Sequence, residues 1–233
     1  MHSAPPRPKT PTDVLRSRLR DTAMTAERGT QATLAEVFSE QAVDGAPIAF
    51  AVAHLRADKP VLWVQDRMSR RETGRPYLAG LPVPLRILHV TVSKPADLLW
   101  TMEEALGCPA LGGVLGEVWG DPAVLDFTAT KRLALRSEAH GVPAWLIRRA
   151  AHPNLSAARE RWRVDSLPSL PDPDDQRAPG LPLWQADLFR SRWRQPGQWV
   201  VRHDQDGLSF EHGVDRPDVS VAPHDTAPQS LRI

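Results

Sequence analysis

Between Thr33 and Arg148 the chain alternates short apolar runs with stretches whose apolar residues fall on one helical face. The runs Thr33–Phe38, Pro60–Asp66, Leu85–Val92, Leu111–Trp119 and Val142–Arg148 are near-continuously apolar and predict strands covered on both sides. Three helices are predicted between them. Gly45–Ala57 is apolar nearly all round, as a helix laid on a sheet is. Pro95 opens a second, with Leu98, Leu99, Met102 and Leu106 on one face. Phe127–His140 is the third, capped by Asp126 or Thr128 and stopped at Gly141. The stretch after Asp66 reads as a polar loop with a short helix around Tyr77–Gly80.

Beyond Arg149 the helical periodicity stops. Arg159–Leu167, Leu183–Trp193, Gly197–His203 and Leu208–His212 predict successive antiparallel strands, with a proline- and aspartate-rich loop at Pro168–Pro182 and a tight turn at Asp206-Gly207. The pattern therefore predicts an α/β fold: a mainly parallel sheet flanked by helices, extended by antiparallel C-terminal strands. Residues 1–11 read as a disordered proline-rich tail, 12–32 as a helix and linker, 33–213 as the core, and 214–233 as a flexible tail.

Composition narrows the function classes. A formal net charge of +1 gives no global pull toward nucleic acid or an anionic membrane. No apolar run is long enough to cross a bilayer, and the N-terminus has no signal-peptide core, so a cytoplasmic protein is expected. Cys108 is the only cysteine, which excludes an internal disulfide, and no histidine spacing suggests a metal.

The order strand, loop, buried helix from Leu34 to Leu55 is that of a phosphate-binding loop, but the chemistry is missing. Such a loop needs glycines to turn backbone N–H groups inward, a lysine for the terminal phosphates and a hydroxyl for magnesium. Here the loop runs from Ser39 to Pro47 and puts Gly45 and Ala46 at the lysine and hydroxyl positions. Glu40 and Asp44 add the wrong charge, and Pro47 removes a donor. The fourth strand carries Gly116-Glu117 where a magnesium-associated aspartate is needed. With both parts absent, neither nucleotide hydrolysis nor a bound cofactor is expected. An unconventional site around Asp66 and Glu117, at the strand ends where α/β ligands bind, is the alternative that keeps the chain an enzyme.

The segments PVLWV (60–64), LLWTMEEALGCPALGGVLGEVW (98–119), LDFTATKRLALRSEAHGVPAWLIRR (125–149), RERWRVDSLPS (159–169) and LPLWQADLFRSRWRQPGQWVV (181–201) resemble the bacterial ImuA family, itself RecA-like. With the opening stretch they span about half of the chain or more. The resemblance implies a RecA-like fold and a non-catalytic role in SOS-induced mutagenic translesion synthesis. It also implies RecA, an ImuB-type Y-family-like protein and an error-prone polymerase alpha subunit as partners. A RecA-like SOS inhibitor of cell division is the other non-enzymatic reading.

Four groups of residues are candidates for contact. In RecA the strand matching FRSRWR carries two lysines that reach the nucleotide of a neighbouring protomer, so Arg190 and Arg192, with Trp193, would complete a composite interface; otherwise they are a solvated strand edge. The helix bearing Val14, Leu15 and Leu19 is either a docking arm or a helix folded back on its own domain. Arg148, Arg149, Arg161 and Trp162, in a basic run from Lys131 to Arg163, would contact DNA, with Trp162 stacking on a base; the bland reading is a solvated charged face. Gln185–Phe189 (QADLF) has the form of a sliding-clamp ligand but lies inside a predicted strand, which argues for coincidence.

Overall fold

The computed structural model describes residues 32–77, 80–81, 85–169, 171–172, 174–175, 177–204 and 207–212. The expected N-terminal helix with Leu15 and Leu19, both tails and Asp206 lie outside the described residues.

Nine strands form one sheet: β1 (Leu34–Phe38), β2 (Val61–Asp66), β3 (Ile87–Val92), β4 (Gly113–Trp119), β5 (Ala144–Arg149), β6 (Glu160–Leu167), β7 (Leu183–Ser191), β8 (Gly197–Asp204) and β9 (Gly207–His212). Their order across the sheet is β3-β2-β4-β5-β1-β6-β7-β8-β9. The first six positions are parallel, and β7, β8 and β9 continue antiparallel. The α/β class is as the pattern predicts. One detail differs: β6 was expected among the antiparallel strands but pairs with β1 in parallel, Ala35 opposite Glu160 and Phe38 opposite Arg163. A helix-free segment makes that crossover, pinned where Ala157 N donates to Thr130 Oγ1 and Ser156 Oγ donates to Glu36.

The helices are α1 (Ala46–Val52), α2 (Arg67–Thr73), α3 (Pro95–Leu106) and α4 (Phe127–His140). Helix α1 lies on one face of the sheet, and β7–β9 carry that face round it. Phe50 of α1 stands 5.0 Å from the Trp162 ring, 5.9 Å from Trp145, 6.3 Å from Phe210 and 6.4 Å from Trp184. This aromatic cluster explains where most tryptophans went: Trp63, Trp145, Trp162, Trp184 and Trp199 are core. The opposite face is covered by α3 and α4, through Leu98, Met102, Leu106, Leu133 and Ala134.

Helix α1 is shorter than Gly45–Ala57. His54 Nδ1–H donates to the Phe50 carbonyl at 2.6 Å, taking the acceptor that continued helix would offer to its own backbone N–H. Helix α2, by contrast, occupies the stretch read as a polar loop. It has no apolar stripe, and its start is fixed by Asp66, whose carboxylate accepts from Ser69 N at 2.6 Å. Gly80 N bonds Tyr77 O and Gly80 is 3-10 helical, where the short helix is expected; residues 78–79 lie outside the described residues.

Candidate functional site

The loop after β1 ends is tied down at both ends by β6. Asp165 Oδ1 accepts from Ser39 Oγ at 2.8 Å and from Glu40 N at 2.7 Å. Asp44 accepts from Ser166 N and Oγ at 2.7 and 2.6 Å. Three of the loop's amides are spent locally: Gln41 N on Ser39 Oγ, Asp44 N on Gln41 O, and Ala46 N on Asp44 Oδ1. Gly45, at φ −79°, precedes α1 without a side-chain cap, and Pro47 has no N–H.

A cation of the chain itself fills the concave side. Arg149 Nη1 donates to the Ala42 carbonyl at 3.1 Å and to the Asp44 carbonyl. A phosphate loop points N–H groups at an anion; this one points carbonyls at a guanidinium. Arg149 Nε also donates to Glu117 Oε1 at 2.9 Å.

Glu117 is fully buried and accepts from four donors: Arg149, Trp63 Nε1 at 3.2 Å, Gln65 Nε2 at 2.8 Å and Thr73 Oγ1 at 3.1 Å. A carboxylate offers about four lone-pair sites, and here both oxygens are engaged, the Thr73 hydroxyl being shared with the Ser69 carbonyl at 2.8 Å. Asp66 is likewise used on both oxygens, by Ser69 N and by Trp119 N at 2.9 Å. The two acids fix α2 against β2 and β4; they do not converge on an open site. Among the described residues no group of three or more His, Cys, Asp or Glu could hold a metal ion.

The residues expected to meet DNA are in the interior. Arg148 and Arg149 are adjacent on β5 and so leave opposite faces of the sheet. Arg148 side chain is fully buried, bonded to Asp121 Oδ1 at 2.7 Å and 3.6 Å from Glu36. Burial pushes its guanidinium pKa down, while Glu36 and Asp121 hold it up. Arg161 Nε donates to Glu36 Oε2 at 2.7 Å, and its guanidinium lies 5.3 Å from the centres of both the Phe38 and Phe189 rings. Trp162 is fully buried under Phe50, with no face open to a base. The expectation for Arg148, Arg149, Arg161 and Trp162 is thus corrected: parallel strands covered on both faces turn their charges inward, where each needs a partner. The readable trace of this was Glu36 and Glu117 standing inside LAEVF and LGEVW, buried acids that demand buried bases.

Arg190 and Arg192 are exposed, and Trp193 retains 46% of its accessible surface. Strand β7 is interior to the sheet, so these residues are a strand end and not an edge. Arg190 pairs with Arg161, Phe189 is bulged out of register, and Arg192 N bonds Arg159 O just past the strand. Because β7 runs against β6, this end points toward the start of β1 and away from the loop that follows it. Gln185–Phe189 is locked between β6 and β8: Ala186 and Leu188 are core, and Asp187 faces Arg163 at 3.8 Å.

No family model matches the chain. Protein ImuA of Caulobacter vibrioides, in each of two strains, is 31% identical to it over 184 residues, covering 72% of both chains. The chain belongs to the ImuA family. The ImuA resemblance read from the segments on β2, α3–β4, α4–β5, β6 and β7–β8 therefore stands. Among its described residues, no helix of this ImuA-family chain is long and apolar enough to cross a membrane.

Proposed function

We propose that this ImuA-family chain is a non-catalytic, RecA-like accessory of SOS-induced mutagenic translesion synthesis, linking RecA to an ImuB-type polymerase partner. The observation that carries the non-catalytic half is the Arg149 guanidinium seated on the Ala42 and Asp44 carbonyls. A triphosphate entering there would have to displace a buried cation already paired to Glu117, and would then meet carbonyl oxygens. Membership of the ImuA family supports placing the chain in a mutagenesis system, with an error-prone polymerase alpha subunit as a further member of the assembly.

The linking half rests on Arg190, Arg192 and Trp193. They stand exposed at the end of β7, away from the chain's own loop, where a second molecule can reach them. Exposed arginine beside exposed tryptophan is the composition of an interface anchor. The test is equilibrium titration with RecA, with and without a non-hydrolysable ATP analogue. Wild type binds, and Arg190→Ala with Arg192→Ala does not. Unchanged binding by the double variant would remove this surface from the proposal, and measurable magnesium-dependent ATP binding by the isolated chain would remove the non-catalytic reading.

A further inference from the structure

The segment Arg67–Tyr77 (RMSRRETGRPY) carries four arginines against one glutamate, in a chain whose net charge is only +1. Arg67, Arg70 and Arg71 fall at i, i+3 and i+4 of α2 and share one face. Arg75 follows two residues after the helix, and Arg70 and Arg75 lie close enough to His89 on β3 to help hold its pKa below the ordinary histidine value, after burial. Arg67, Arg71 and Arg75 are exposed. Among the described residues the one ion pair in this segment is a loose one, Arg71 to Glu72 at 3.7 Å between neighbours in sequence.

This contrasts with the rest of the molecule, where Arg148, Arg149, Arg159, Arg161 and Arg194 each meet a carboxylate at 2.9 Å or less. Guanidiniums side by side repel one another, yet Arg67, Arg71 and Arg75 stay exposed with no close carboxylate among the described residues.

Two apolar side chains interleave them. Tyr77 keeps 77% of its surface exposed and Met68 keeps 44%. The Tyr77 ring lies against Gly80, where an added Cβ would stand 2.8 Å from a ring carbon. Glycine there lets the backbone approach one edge of the ring, which keeps most of its surface open. The mount is rigid: Asp66 caps α2, Gln65 Nε2 donates to Gly74 O at 3.1 Å, and Thr73 Oγ1 donates to Glu117 Oε1 at 3.1 Å. The buried acids Asp66 and Glu117 hold this strip in place.

From these observations we infer that Arg67–Tyr77 is a binding strip for single-stranded nucleic acid. Arg67, Arg70, Arg71 and Arg75 contact successive phosphates, and Tyr77 offers its exposed ring to an unstacked base. Exposed guanidiniums track a phosphate backbone, and an exposed aromatic ring selects a base over a plain polyanion. The inference is independent of the proposed accessory role, since it concerns neither RecA nor Arg190 and Arg192.

The test is fluorescence anisotropy of a labelled oligothymidylate with the full chain, over a salt series. Wild type binds at low salt. Arg67→Ala with Arg71→Ala lowers affinity at least about fivefold and flattens the log K against log salt slope by about 1.4, the loss of two single-strand phosphate contacts. The same charge change elsewhere, Arg56→Ala with Arg177→Ala, leaves both unchanged. Tyr77→Ala weakens oligothymidylate binding about tenfold, and Tyr77→Trp retains it. Absence of wild-type binding at low salt, or an unchanged slope in the Arg67/Arg71 variant, overturns the inference. It is equally overturned if Tyr77→Ala is neutral and polyglutamate competes as well as DNA, which would make the strip a surface for an acidic protein.

Discussion

Arg149 and Glu117 lie 2.9 Å apart with side chains at most 2% exposed, and the pair closes the loop after β1 from inside the protein. Removing one partner strands the other. Glu117→Met is expected to cost about 3–5 kcal/mol, because a buried guanidinium is left unpaired. Adding Arg149→Met to that variant should recover part of the loss, since it removes the stranded guanidinium, while Trp63 Nε1 and the Ala42 carbonyl still lack their partners. Urea denaturation of wild type, single and double variants measures both. A double variant no more stable than the single one contradicts the account.

Two glycines beside the core separate backbone from side-chain constraints. A Cβ at Gly112 would meet the Arg56 carbonyl at 2.4 Å, whereas one at Gly116 would meet the sulfur of Met102 at 2.2 Å. A backbone carbonyl cannot step aside; a thioether can turn. Gly112→Ala is therefore expected to destabilise by about 3 kcal/mol, at the upper end of overpacking costs, and Gly116→Ala by nearer 1 kcal/mol. Thermal melts of the two variants decide the ranking.

Acid should unfasten the entry of the sheet. Glu138 accepts from Arg159 Nε at 2.6 Å and from Thr33 Oγ1 at 3.2 Å, and the Arg159 hydrogen bond holds its carboxyl below the usual value of 4.5. The folded pKa is depressed, so the unfolded chain binds the proton first on acidification. The contribution is full above pH 4.5 and is lost as pH falls through the folded value. Glu138→Gln is expected to cost roughly 1 kcal/mol at neutral pH and to converge with wild type in acid. Parallel stability-against-pH curves for the two proteins would contradict this.

The fold was legible where periodicity and burial agree. Strands such as LAEVF and AWLIRR are apolar enough to announce a doubly covered sheet, and α3 and α4 display their buried faces as leucines one turn apart. Helix α2 was not legible, because a single Asp66 cap and a frame of buried hydrogen bonds hold it where RMSRRET shows no apolar stripe. That the loop lacks a phosphate loop's lysine and hydroxyl is plain from Gly45, Ala46 and Pro47. That Arg149 fills it is not, because the contact joins residues more than a hundred positions apart. Charge runs misled for a geometric reason: Arg148 and Arg149 are neighbours in sequence but serve separate carboxylates on opposite faces of the sheet.

That geometry yields the last prediction, which separates a missing lysine from a loop built the other way round. An added Cβ at Gly45 meets nothing within 4 Å, and its φ of −79° suits any residue, so a lysine fits there. Gly45→Lys with Ala46→Thr would restore the two side chains that a phosphate loop uses. The backbone, however, still turns the Ala42 and Asp44 carbonyls inward onto Arg149, and Glu40, Gln41, Asp44 and Ala46 N–H groups are already bonded. The double variant is expected to stay folded at a cost of about 1–3 kcal/mol, because Ala46 is buried in the core, and to give no heat with ATP and magnesium by calorimetry. Binding with micromolar affinity would mean that the loop can invert its carbonyls at little cost, and that the lysine alone was what the chain had lost.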